Sequence, residues 1–197
     1  MIFLLYRYAE DAGAAARFNI IRALAFLSST ELICADRNNH CIRHVDLSLS
    51  PPETSTFAGS CTTSGNADGH RVNSARFRFP KYTEVNNHHF SLLILDYFDT
   101  LRMIDLKTDI VTTLVTFDSY CNDIKLLGEN LLYVTQSTRV IVFNSDTREE
   151  SVVAGGESRG SANGPFNHTR FNYACGLMLR TDAINKHLLV ADCNNDR

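Results

Sequence analysis

The chain has 197 residues, 44% of them hydrophobic and 21% charged, enough apolar mass for one domain with a packed core. Its formal net charge is −3, with 19 Lys and Arg against 22 Asp and Glu, so there is no broad basic field of the kind that attracts nucleic acid. No apolar run approaches the roughly 18 residues of a membrane helix, and the apolar start MIFLLY meets Arg7, Glu10 and Asp11 too soon to be a secretory signal.

In chain order, short runs of β-branched, aromatic and aliphatic residues alternate with Asn, Asp, Gly and Ser, which are strand and hairpin signals. The first set predicts strands near 20–27, 31–36, 41–47 and 54–58. Asp36, Arg37, Asn38 and Asn39 form the turn between the second and third of these, because Asp and Asn tolerate left-handed backbone and bond back to nearby amides. GNADG (65–69) links this set to the next, and its Asp68-Gly69 turn calls for a positive φ. The second set predicts strands near 82–85, 90–96, 101–106 and 110–115, and the third near 123–127, 131–135, 140–144 and 150–154. A fourth set opens with 176–180 and 187–192. No stretch sustains a 3.6-residue period, so helix is minor.

Three anchors recur along this series. The first is a small or hydroxyl residue followed by Arg-Phe: Ala16-Arg17-Phe18, Ala75-Arg76-Phe77 and Thr169-Arg170-Phe171. The second is a β-rich run ending in Asp: LICAD (32–36), LLILD (92–96) and LLVAD (188–192). The third is Ala-Gly after a strand: STFAG (55–59) and SVVAG (151–155). The longer steps between equivalent anchors are two units of roughly 47 residues, the period of one propeller blade. The third set is degenerate, with Thr135 where Asp is expected and no Arg ahead of Asn144-Ser145. Asp36, Asp96 and Asp192 are expected to be repeat scaffolding. Arg43 and Arg102 should bridge to neighbouring backbone or to the turn Asp, and Phe18, Phe77 and Phe171 should be buried near blade junctions.

Asp68-Gly69, Ala75-Arg76-Phe77, Pro80, Ala35-Asp36, Asn38-Asn39-His40 and the Ile-Arg-x-Val-Asp-Leu of 42–47 together resemble the NHL repeat. The resemblance implies an all-β fold, a partial, open β-propeller of four-stranded antiparallel blades, in a family whose rings usually have six blades. The units fall at approximately 11–59, 66–116, 117–155 and 162–197, the last truncated, within a single NHL-type domain. About three and a half blades imply a fragment of a longer propeller, with the remaining blades missing or supplied by another chain. A half-propeller that closes by dimerising is the other possibility. Family members serve as ligand-binding platforms, as RNA-binding propellers or, on related propellers, as metal-assisted lyases and hydrolases.

The chain has six cysteines. If 47 faces 54 across the hairpin, Cys41 faces 60 and lies next to Cys61. If 180 faces 187, Cys175 faces 192, beside Cys193. Cross-strand neighbours lie near the Cα separation of a disulfide, so Cys41–Cys61 and Cys175–Cys193 are expected to pair. That implies an oxidising compartment, and hence an extracellular or cell-surface protein. Cys34 reads as core, and Cys121 has no evident partner. Asn167-His168-Thr169 is a glycosylation sequon.

For chemistry, the first strands offer Arg22, Glu84 and Asp123 to a central channel. His88-His89 read as hairpin-loop residues, and His40, His44, His70, His168 and His187 show no ligand spacing. There is no nucleophile elbow and no phosphate-cradling glycine loop, so no catalytic, cofactor or metal residue is named and no cofactor is expected. The expectation is a non-enzymatic scaffold that binds a protein or glycan through its loop faces, with no nucleic-acid partner and no membrane span. The faces carry Phe98-Asp99, Thr138-Arg139, 86–89 and the loops 60–74 and 156–168. The alternative is a piece of a propeller enzyme, a metal-assisted lyase or hydrolase whose catalytic residues lie outside this chain.

Overall fold

The computed structural model describes residues 8–97, 99–181 and 186–197, apart from the side chains of Asn167 and Thr181. The chain divides into two compact units, Met1–Thr113 and Leu114–Arg197. Among the described residues no helix is long and apolar enough to cross a membrane.

The first unit holds two antiparallel sheets. One contains β1 (Asp11–Ala12), β2 (Ile21–Phe26), β3 (Glu31–Asp36), β4 (Cys41–Asp46) and β5 (Glu53–Gly59), in the order β1-β5-β4-β3-β2. The other contains β6 (Gly69–His70), β7 (Tyr82–Asn86), β8 (Ser91–Asp96), β9 (Thr100–Asp105) and β10 (Ile110–Thr116), in the order β6-β10-β9-β8-β7, and the end of β10 runs past Thr113 into the second unit. Each sheet is therefore a four-stranded meander with a two-residue fifth strand covering its last strand. Those fifth strands, Asp-Ala and Gly-His, are too short to carry an alternating pattern. They satisfy backbone groups on what would otherwise be a free edge.

The core of this unit is built where the two sheets meet. Ala23, Ile33, Ala35, Ile42 and Ala58 of the first sheet pack with Leu92, Ile94, Ile104 and Val111 of the second, and with Ala75 and Phe77 between them. The Phe77 ring has no solvent exposure. Gly59, at φ +86°, lets it in: a Cβ there would stand 2.8 Å from the ring. Phe18 and Phe171 are half-buried rather than buried. Phe77 is enclosed between two sheets, whereas Phe18 lies in the chain between β1 and β2 of one sheet, 5.1 Å from the Arg43 guanidinium, and Phe171 precedes a two-stranded sheet.

The second unit holds β11 (Cys121–Leu126), β12 (Leu131–Gln136), β13 (Arg139–Asn144) and β14 (Glu150–Gly155) as a simple meander, followed by the pair β15 (Ala174–Thr181) and β16 (Lys186–Asp192). Among the described residues the strands pair antiparallel and no sheet closes on itself.

Two register readings need correction. Val45, not residue 47, faces Thr54, and the ladder starts at Asp46↔Glu53. Pro51 and Pro52 carry no N–H to donate, so the connection is longer than a tight hairpin. A shift between Ile42 and Arg43 leaves Phe57 as the extra residue, so Cys41 faces Gly59. The Cys41–Cys61 disulfide forms across that step, with Cα atoms 5.0 Å apart. Arg180 does face His187, but Cys175 is itself bulged out of the ladder, and it bonds Cys193 at a Cα separation of 6.0 Å. Cys34 and Cys121 are buried free thiols, and burial pushes the Cys34 thiol up to about 11.

The degenerate third set also pairs one residue away from expectation. Ile21 faces Asp36 in the first sheet and Cys121 faces Gln136 in the third. Gln136 therefore occupies the Asp position, and Thr135 stands one residue before it. By the same ladder Ile141 takes the place of Arg43 and Arg102.

Candidate functional site

The repeat residues hold the backbone. Asp36 accepts the Asn19 amide at 2.7 Å through Oδ1, and its Oδ2 accepts from the Asn39 side chain at 2.8 Å and from Arg43 at 3.4 Å. Asp96 accepts the Arg78 amide at 2.8 Å, and Asp192 the Asn172 amide at 2.7 Å. In each case the donor is the residue just after the anchor Phe. Arg43 and Arg102 are fully buried. Arg43 also donates to the Arg17 and Ala9 carbonyls at 3.2 and 3.0 Å, and Arg102 to those of Arg76 and Ala67. Arg102 pairs with Asp68 at 2.7 Å as well, and lies 4.6 Å from the Phe77 ring centre. A buried guanidinium needs this many acceptors to offset its desolvation.

The residues weighed as metal ligands take other places. Arg22 is exposed and Glu84 half-buried on the first strands of their sheets. The Asp123 carboxylate accepts the Leu177 amide at 2.7 Å, tying β11 to β15. The His88 and His89 amides donate to the Asn86 side-chain oxygen in the turn after β7. His40 accepts the Phe79 amide at 3.2 Å through Nδ1. Burial, with help from Arg78 and Arg37, pulls its pKa below the ordinary histidine value and keeps that nitrogen an acceptor. Among the described residues no three His, Cys, Asp or Glu side chains converge.

Of the loop faces, Arg139 is tied to Asp118 at 2.7 Å and to Gln136. Phe98 and the side chain of Asn167 lie outside the described residues.

Two of the other faces, 60–74 and 86–89, do come together. Between the two sheets of the first unit, on the side of the β2–β3, β7–β8 and β9–β10 turns, lies a groove of about 360 Å³. Leu27, Phe57, Val85 and Leu106 give it an apolar lining, and Glu31, Asn86, Asn87, Arg71 and Asp109 supply the polar groups. Phe90, 55% exposed, stands at its rim with the Lys107 ammonium 4.5 Å from the ring centre.

Arg71 and Asp109 form an ion pair in its lining. Strand β6 pairs with β10, Gly69 with Val111 and His70 with Ile110, which brings Arg71 beside the turn that carries Asp109. Gly69 has φ +120°, as the Asp-Gly turn requires. The Arg71 amide donates to the Asp109 carbonyl at 2.8 Å, and its own carbonyl accepts the Gly59 amide at 2.7 Å. In the side chain, Nε meets Asp109 Oδ1 at 2.6 Å, Nη1 donates to the Phe57 carbonyl at 2.8 Å, and the guanidinium lies 4.3 Å from the Phe57 ring centre. Arg71 thus straps the last strand of one sheet to the other while staying a quarter exposed. The sequence gives no local sign of this pair, because its members lie 38 residues apart and the strand that joins them has two residues.

Neither a protein-family model nor a curated protein sequence matches the chain. Solved structures do. An auxiliary nutrient binding protein from Bacteroides ovatus superposes with a TM-score of 0.66 at 12% identity, over 90% of this chain and 44% of its own. The fold is of the β-propeller type, with its sheets left open. A Bacteroides uniformis protein assigned as a 6-phosphogluconolactonase gives 0.57 at 11% identity, over 96% and 52%. The extracellular domain of a protein assigned as a one-component system in Bacteroides thetaiotaomicron gives 0.52 at 15%, over 72% and 19%. At such identities the likeness is one of fold alone. The chain spans about half the length of three of the solved structures it matches, between 42% and 54%.

Proposed function

We propose that the chain is a non-enzymatic binding scaffold, a single NHL-type array of blades, which takes a ligand in the groove between its first two sheets. The observation that carries this reading is the Arg71–Asp109 strap: a charged pair fixed by backbone and ring contacts, half open to solvent, over an apolar lining. Small-ligand sites have this make-up, concave and mostly apolar with a few placed polar groups. Two disulfides support work outside the cell or at its surface, and the extracellular and nutrient-binding proteins that share the fold are in keeping with it. The sequon at Asn167 would then be a glycosylation site.

Arrays of immobilised glycans and peptides, probed with the native protein and with Arg71→Ala, test the reading. Ligands captured by the native chain should be lost by the variant. Capture that is undiminished in Arg71→Ala would remove the groove as the site. Stoichiometric zinc or calcium in the purified full-length product would replace the scaffold with a metal-assisted enzyme.

A further inference from the structure

We infer that the groove receives a neutral saccharide residue through a vicinal diol. The inference rests on the binding-scaffold reading and names the class of ligand.

The contact inside the strap is one-armed. Arg71 Nε holds Asp109 Oδ1 and Nη1 is spent on the Phe57 carbonyl, while Nη2 and Asp109 Oδ2 have no hydrogen-bond partner among the described residues. A donor that cannot accept therefore stands beside an acceptor that cannot donate. Two adjacent hydroxyls complete that pattern, one accepting from Nη2 and its neighbour donating to Oδ2. A single carboxylate or phosphate would satisfy Nη2 but would face Oδ2, and Glu31 lines the same groove. Within the lining Glu31 and Asp109 stand against Arg71 alone, and Lys107 is held outside it on the Phe90 ring, so the lining itself disfavours an anionic ligand. Phe57, Val85 and Leu106 present carbon surface to the C–H face of a sugar ring, and the groove lies within the roughly 300–1,000 Å³ usual for small-ligand sites. The strap is built before the ligand arrives, so little ordering has to be supplied on binding.

The test is a titration followed by NMR, reading the Arg71 side-chain Nε–H and the amides of Phe90, Leu106 and Asp109. The probes are maltotriose, mannotriose and xylotriose, with trigalacturonic acid and the peptide Lys-Gly-Lys as comparators. At least one neutral trisaccharide should shift the groove signals. Asp109→Asn, which suits the left-handed backbone at φ +61°, should weaken that binding about tenfold or more. Phe90→Ala, at an exposed rim position, should weaken it without altering signals elsewhere. If the acid or the peptide shifts the groove and no neutral sugar does, the saccharide class falls and the scaffold stands. If no probe shifts it, both readings fall. Neutral-sugar binding that survives Asp109→Asn overturns the diol contact.

Discussion

Arg102 and Asp96 are both buried, and the third sheet replaces their counterparts together, by Gln136 and Ile141. The chain therefore carries its own double-substitution experiment. Arg102→Ile alone leaves Asp96 without its counter-charge and strips hydrogen bonds from the Ala67 and Arg76 carbonyls, and should cost about 3–5 kcal/mol. Adding Asp96→Gln, the third-sheet combination, should recover part of that loss. A double-mutant cycle in urea measures the coupling, and strict additivity would show that the pair is not a unit. Asp68 sits at the edge of the same cluster. Burial raises its pKa, but the Thr113 amide and the Arg102 guanidinium outweigh burial and hold it below the usual carboxylate range. Its contribution is present above the unfolded carboxylate pKa, near 4, and is lost as pH falls through the lower folded value. Asp68→Asn should lower stability at neutral pH and flatten the acid limb of a stability–pH curve, so that variant and native converge as pH falls. The Asp and Arg anchors were legible because they repeat. Gln136 was not, because LLYVT mimics LICAD one residue out of step.

Among the elements, the Cys41–Cys61 bridge and the glycines that end the last strands set how segments meet. The bridge closes a loop with a sequence separation of 20. Replacing both cysteines by Ala should lower stability by roughly 3 kcal/mol, chiefly through the unfolded chain. The same loss should follow when reductant is added to the native protein in a denaturant titration, and it should be absent in the double variant. Pairing was readable from cysteine positions even though the register behind it was two residues out at the turn. A disulfide tolerates that error because its geometry spans a range of Cα separations. Glycines separate just as cleanly. At Gly155, φ +92°, a Cβ would meet the Thr138 carbonyl at 2.4 Å and Arg139 Cα at 2.7 Å, whereas at Gly128 it meets nothing within 4 Å. Gly155→Ala should destabilise by well over about 1 kcal/mol and Gly128→Ala by less than that, as thermal midpoints would show. The Ala-Gly anchor announced Gly155 in the sequence, but the reason for it, a close backbone approach, exists only in the folded sheet.

Across the whole molecule, the period of the anchors carried the all-β propeller-type fold, since each blade repeats the same backbone contacts. The groove was not carried, because it depends on residues 38 apart meeting through a two-residue strand. Stability should also be distributed unevenly. Strand β8 has neighbours on both sides and every one of its residues is buried. By contrast, β15 and β16 form a two-stranded sheet in which Met178 and Leu189 are 63% and 50% exposed. A lone hairpin is marginal in water, and this one is held by the Cys175–Cys193 bridge and by the Leu177 amide on Asp123. Local opening follows burial and neighbouring strands. Amide hydrogen exchange should therefore be slowest in β8 and at least about tenfold faster in β15–β16. Asp123→Ala removes one of these ties, the Asn122 side chain still donating to the Ala174 carbonyl at 2.8 Å, and should raise exchange in β15 while leaving β8 unchanged. Equal acceleration in both strands would mean that the sheets open as one cooperative body, and the hairpin would then have no separate stability of its own.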